Sequence, residues 1–259
     1  MKVKIFVAAV AVLFGGVGLV TVSFLRQSTT CDDLSGVAGA EPVDHTLFVE
    51  LGGNTPPWSD AASQFVRERL ADTISEHPET PAVVQVRLEV DGRTTVPRTN
   101  CLRSPLQLSA PKSDMDNYAV GTSDTRADIR TRLQRTRHDQ IEVVAAAVAD
   151  EVRYTSFDGV PTLTVLPIWQ DASETEGPIS ILSPLVSTAE DCMQPAEGES
   201  PTAGDLVRDC IASGEMRTLP AELLHIENLD FLATSAGQKA AARAMMDALR
   251  TCGTTAGCT

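Results

Sequence analysis

The hydrophobic pattern of the chain falls into three parts. Residues 5–25 form one apolar run, preceded by Lys2 and Lys4 and closed by Arg26. The run is long enough to span a bilayer and longer than the core of an ordinary signal peptide. Residues 27–43 are mostly Ser, Thr, Gly, Asp and Pro, and read as a flexible linker. From residue 44 the pattern becomes periodic. Thr-Leu-Phe-Val-Glu-Leu over 46–51 predicts a strand, and Gly52-Gly53 follows it. Phe65, Val66, Leu70, Thr73 and Ile74 share one face of a helix predicted over 59–77, which Pro78 stops. Residues 82–90 alternate in their second half, which predicts a half-exposed strand near the sheet edge, turned by Asp91-Gly92. Residues 93–122, with Pro97, Pro105 and Pro111, read as irregular.

A second helix is predicted over 123–152, with Ile129, Leu133, Ile141, Val144, Val148 and Val152 as its buried stripe. Residues 162–169 are ambiguous: 162–166 alternate like a strand, and Pro167 argues against a helix interior. Ile-Ser-Ile-Leu-Ser over 179–183 reads as a central strand. The stretch 187–201 is an acidic loop, Thr202 caps a helix to Ser213, and Gly214 ends it. The last strand centres on 223–226. A final helix runs from a cap at Ser235 through Leu249, with Ala242, Met245, Met246 and Leu249 inward, and Cys252-Gly253 ends it. Alternating strands and helices predict an α/β domain over 44–253, a mostly parallel sheet with helices on both faces. Residues 254–259 read as a tail.

Composition sharpens this picture in two ways. The formal net charge is −14, and residues 1–26 contain no acid, so the remainder is more acidic still. Such a surface repels phosphates, which excludes nucleic acid as the expected partner. The six cysteines, Cys31, Cys101, Cys192, Cys210, Cys252 and Cys258, suit an exported domain in which disulfides persist. Proximity in the chain suggests Cys192 with Cys210, Cys252 with Cys258 and Cys31 with Cys101, among 15 possible pairings. The leading lysines favour a cytoplasmic N-terminus with the domain outside the membrane. Residues 1–26 then serve as an uncleaved anchor. The alternatives are a cleaved signal at Ala38-Gly39-Ala40 and a lipoprotein acylated at Cys31.

Candidate chemistry is sparse. Gly52-Gly53 ahead of a helix could cradle a phosphate, but neither G-x-G-x-x-G nor a lysine-bearing phosphate loop is present. His45, His77, His138 and His225 lack metal spacing, and no G-x-S-x-G elbow exists. Ser183 with His225 as its base is the one hydrolytic pair that can be named. Arg126, Arg130, Arg132, Arg135 and Arg137 could face an anionic lipid or polymer, or form a solvated helix face with Asp128 and Asp139. Trp58 and Trp169 suit a buried or rim-packing role, and the acidic residues 190–199 could hold Ca²⁺ loosely.

Four stretches in order carry a family resemblance. They are Leu-Phe-Val-Glu-Leu-Gly-Gly-Asn-Thr at 47–55 with its helix, the long helix leading to Gly-Val-Pro-Thr at 159–162, Ile-Ser-Ile-Leu-Ser-Pro-Leu-Val-Ser-Thr-Ala-Glu-Asp-Cys at 179–192, and the closing strand and helix to Cys252. Together they resemble the von Willebrand factor A-like domain in its divergent exported bacterial form. The resemblance implies a doubly wound, Rossmann-like sheet and a protein-binding role. In that family a metal-ion-dependent adhesion site of Asp-x-Ser-x-Ser, a loop Thr and a later Asp crowns the sheet. Here Glu50 stands at the first Asp, Gly52 and Asn54 replace the serines, Thr162 matches the loop Thr, and Pro184 follows Ser183 in place of the later Asp. Glu50, Asn54 and Thr162 remain as possible Mg²⁺ or Ca²⁺ ligands, but the expectation is no metal and no cofactor. The reading is therefore non-enzymatic: a membrane-anchored binding or scaffold domain meeting a protein at the cell envelope. Its rim comprises Glu50, Gly52, Asn54, Thr55, Thr162 and Ser183. The alternative is an envelope hydrolase.

Overall fold

The computed structural model of the chain describes residues 34, 42–50, 56–75, 80–90, 93–109, 112–154, 165–183, 192, 202–228, 236–255 and 257. The expected anchor over 1–26 lies outside them, and among the described residues no helix is long and apolar enough to cross a membrane. The apolar runs pair into one mixed sheet. Strands β1 (His45–Glu50), β2 (Ala82–Val90), β5 (Ile179–Ser183) and β6 (Leu224–Asn228) are mutually parallel. Two short strands, β3 (Arg93–Thr94) and β4 (Leu106–Leu108), run antiparallel along the outer side of β2. The order is β3-β2-β1-β5-β6, with β4 also on β2.

Alternate residues of a strand point to opposite faces, so the sheet has two cores. Leu47 and Val49 of β1 and Val84, Val86 and Leu88 of β2 pack under α1 (Pro56–Ser75) and α3 (Ser123–Tyr154). Phe48, Ile179, Ile181 and Ile226 pack under α4 (Val165–Ser173), α5 (Ala203–Ser213) and α6 (Ala236–Thr251). Helices thus cover both faces, as the strand–helix alternation predicts. A third, smaller cluster stands apart: α2 (Lys112–Val120) packs Met115 and Tyr118 on Ile129 and Leu133, in the N-terminal half of α3.

Local chemistry accounts for the helix ends. Pro56 and Pro57 open α1, where a fixed φ suits the first turn and the missing N–H costs nothing. Thr202 and Asp205 form a reciprocal capping box on α5, and Gly214 closes it at φ 81°.

Several expectations are corrected. Residues 93–122 are not irregular: they hold β3, a 3-10 turn at Asn100–Arg103, β4 and α2, and bury Cys101, Leu102, Leu106 and Leu108. β2 lies near the sheet edge, as its alternation predicts, with only the short β3 and β4 outside it; Gln85 and Arg87 are half-buried and Glu89 is buried. Residues 165–173 are helix, since Pro167 falls within the first turn, where no intrahelical partner is lost. Leu34, inside the stretch read as a flexible linker, is 6 % exposed in the first core, the natural fate of an apolar side chain in polar surroundings. The tail does not begin at 254: Thr254 is buried, and Thr255 N–H donates to Leu219 O at 2.8 Å. Of the five arginines in the first half of α3, Arg137 continues the apolar stripe, is fully buried and donates to Thr80 O. Arg126 caps the end of α2 through Tyr118 O and Ala119 O, and Arg132 pairs with Asp114 at 3.1 Å.

Cys192 and Cys210 are disulfide-bonded, as expected, and Cys101 and Cys252 are also in disulfides. Cys31 and Cys258 lie outside the described residues, so their two pairings stay the expectation stated above.

Candidate functional site

The winding of the sheet selects one place. The chain passes from β1 through α1 to β2 on one side, and β5 then adds on the other side of β1. The order therefore reverses between β1 and β5, and open α/β sheets take their ligands outside the carboxyl ends of strands at such a switch point. Glu50 ends β1 and Ser183 ends β5. Both point to the face that carries α4 to α6. Both are buried, and Ser183 Oγ donates to a Glu50 carboxylate oxygen.

This pair belongs to a row that crosses the sheet. Glu50 is in register with Glu89 on β2, and Glu89 with Thr94 on β3. On the other side Ser183 is in register with Asn228. Thr94 Oγ1 lies 2.7 Å from Glu89 Oε1 and 3.0 Å from Asp171 Oδ2 on α4. Burial pushes the Glu89 carboxyl up from 4.5 to about 7, the Thr94 hydrogen bond opposes that rise, the charge of Asp171 adds to it, and Arg87 opposes it. Arg87 itself stacks over the Phe48 ring, 5.4 Å from its centroid. Of the residues expected to form the rim, Glu50 and Ser183 meet. Gly52, Asn54, Thr55 and Thr162 lie outside the described residues.

Sequence reasoning missed Glu89, Thr94 and Asp171. The alternation over 82–90 marked Glu89 as facing away from the apolar side, but nothing local indicated that this side would also be covered.

The pairing of Ser183 with His225 is corrected. His225 is in register with Ser180, three residues from Ser183, and lies on the opposite face. Its ring is 3.8 Å from Glu227. A different histidine meets a serine: His45 Nε2 is 2.9 Å from Ser180 Oγ, and Nδ1 is 2.6 Å from Thr73 Oγ1. Thr73 gives its own proton to Arg69 O at 2.8 Å, so Nδ1–H donates to Thr73 and Nε2 accepts from Ser180. That relay has no place for a second imidazole proton. Ser180 is 1 % exposed, so the pair acts as an internal strut at the opposite end of the strands from Glu50.

A pH dependence follows from His45. Burial first, then the Arg69 and His225 charges, lower it from 6.5 to about 4, against Asp72. Between these values the folded chain binds fewer protons than the unfolded one, so stability rises with pH across the window and is lost as pH falls from 6.5 to about 4. Urea unfolding should show the wild type losing roughly 2 kcal/mol more than His45→Gln over this fall, after allowing for water at the site. Equal slopes would mean that the relay does not exclude the proton.

Trp58 and Trp169 are fully buried, the packing role expected of them. Among the described residues no group of three or more His, Cys, Asp and Glu side chains is arranged to hold a metal. Compared with protein-family models, with curated proteins and with solved structures, the chain matches none.

Proposed function

We propose that the chain is a membrane-anchored, extracytoplasmic domain of von Willebrand A-like type that binds a protein at the cell envelope through its strand-end rim, without a metal. The observation that carries this reading is the polar row from Thr94 to Ser183, lying at the carboxyl ends of the strands and across the switch point. The α/β sheet with helices on both faces suits such a domain, and its disulfides suit an exported one. Glu50 and Ser183 are buried and bonded to each other, and Gly52 and Asn54 supply no hydroxyl, so the donor set fits Mg²⁺ poorly. The negative charge disfavours nucleic acid. Asn54, Thr55 and Thr162, outside the described residues, are the contact residues of this reading, and the buried Glu50–Ser183 pair ties the ends of β1 and β5 together.

The test places a photo-crosslinking side chain at Thr55 in the full chain in its native membrane, with Asp72 as control. Asp72 is 68 % exposed at the far end of α1. A discrete protein adduct from position 55, none from 72, and no effect of chelator are the expected results. An adduct that needs Mg²⁺, or none specific to position 55, would sink the reading. Thermal unfolding adds a second check: a native-state ligand raises the midpoint by mass action, and millimolar Mg²⁺ should leave it unchanged.

A further inference from the structure

Thr94 stands between two carboxyl groups, and its contacts pose a counting problem. A hydroxyl has one proton and two lone pairs. Its oxygen is within hydrogen-bond distance of both Glu89 Oε1 and Asp171 Oδ2, at 2.7 and 3.0 Å. With both carboxyls ionised, one proton serves one contact, and the other sets oxygen against oxygen. Both contacts become hydrogen bonds only when one carboxyl supplies a proton of its own. Glu89 is 1 % exposed and Asp171 is half-buried, and burial disfavours the charged form, so the proton belongs to Glu89.

We propose that protonated Glu89 donates to Thr94, that Thr94 donates to Asp171, and that this relay is a pH-sensitive latch fastening α4 to the β2–β3 edge beside the rim. Charged groups surround Glu89 from three elements. Glu50 flanks it on β1, Asp171 faces it from α4, and Arg87 lies two residues back on β2, engaged with Phe48. β3 contributes the Thr94 hydroxyl. The rise of Glu89 to about 7 agrees with the geometry and places the release of the latch close to neutral pH. Above that point the proton leaves to water. Glu89 and Asp171, both anionic, then compete for one hydroxyl proton. The carboxyl end of α4 parts from Thr94, while Trp169 keeps the helix seated. The latch does not depend on what the rim binds.

The test uses the full chain with its carboxyl groups labelled with ¹³C. One glutamate signal should titrate near neutrality and vanish in Glu89→Gln. Amide exchange, corrected for its intrinsic pH dependence, is compared at about pH 6 and about pH 8.5, on either side of the release. In the wild type, protection over 93–95 and 165–173 should fall about tenfold at the higher pH, the worth of one hydrogen bond. Glu89→Gln, whose amide donates at any pH, should stay protected at both, and Thr94→Val should be open at both. A Glu89 that titrates in the ordinary carboxylate range, or wild-type protection unchanged by pH, overturns the latch. Both wild-type measurements decide the matter even if a variant fails to fold.

Discussion

A Trp169→Ala variant should lose about 3–5 kcal/mol of stability, the largest effect expected of a single side chain here. Trp169 is fully buried among Ile168, Ala172, Met245 and Leu249, and its indole N–H donates to Arg217 O at 2.7 Å. The cost has a cavity part and a smaller hydrogen-bond part. The indole also lies directly against Gly253. A Cβ built there would sit 2.6 Å from Leu249 O, 2.8 Å from Trp169 Cζ2 and 3.0 Å from Cη2. The helix end and the ring therefore share a space that only glycine leaves open. Gly253→Ala should cost about 1–3 kcal/mol by overpacking. The double variant should cost less than the sum of the two, because removing the indole relieves part of the clash. Urea unfolding followed by circular dichroism reads all three. Additive losses would show that ring and glycine are not coupled. Since α4 also carries Asp171, Trp169→Ala should loosen its contact with Thr94 as well.

Joint replacement of Cys192 and Cys210 by Ala should cost about 3 kcal/mol, or roughly 6–12 °C in the thermal midpoint. The bond spans a sequence separation of 18 and ties the segment that follows Ser183 to the buried face of α5. Its effect comes mainly from restricting the unfolded chain. Cys210 is fully buried, so loss of its sulfur adds a small cavity term. Reductant alone is a poorer test, because Cys101 and Cys252 are also in disulfides. A midpoint unchanged in the double variant would mean that the unfolded chain is already restricted there.

Much of this architecture can be read along the chain, because it depends on neighbours in sequence. The α5 boundaries follow from Thr202 with Asp205 and from Gly214, all local capping chemistry. The buried stripe of α3 follows from helical spacing, and each of its six named residues is buried. Ile179–Ser183 is buried throughout and takes an interior place in the sheet, between β1 and β6. Glu50 and Ser183 were legible as rim positions because each ends such a run.

Other features needed the fold. The same spacing that marks Leu133 and Ile141 passes through Arg137, and a buried arginine becomes acceptable through partners the fold brings to it, Thr80 O among them. Pro167 reads as a helix breaker until its place in the first turn is known. Gln85, Arg87 and Glu89 mark one side of β2 as polar, as an exposed face would be. Whether that side meets water depends on β3, β4 and α4, which lie elsewhere in the sequence. The sequence by itself therefore determined the main parallel strands, the α5 caps and the buried stripe of α3, since periodicity and capping act within a few residues. The tertiary structure alone decided that Glu89 would lie between Glu50 and Thr94, and that His45 rather than His225 would meet a serine. Those pairs are set by strand register and by packing across the sheet, and no local pattern encodes the distances that separate them along the chain.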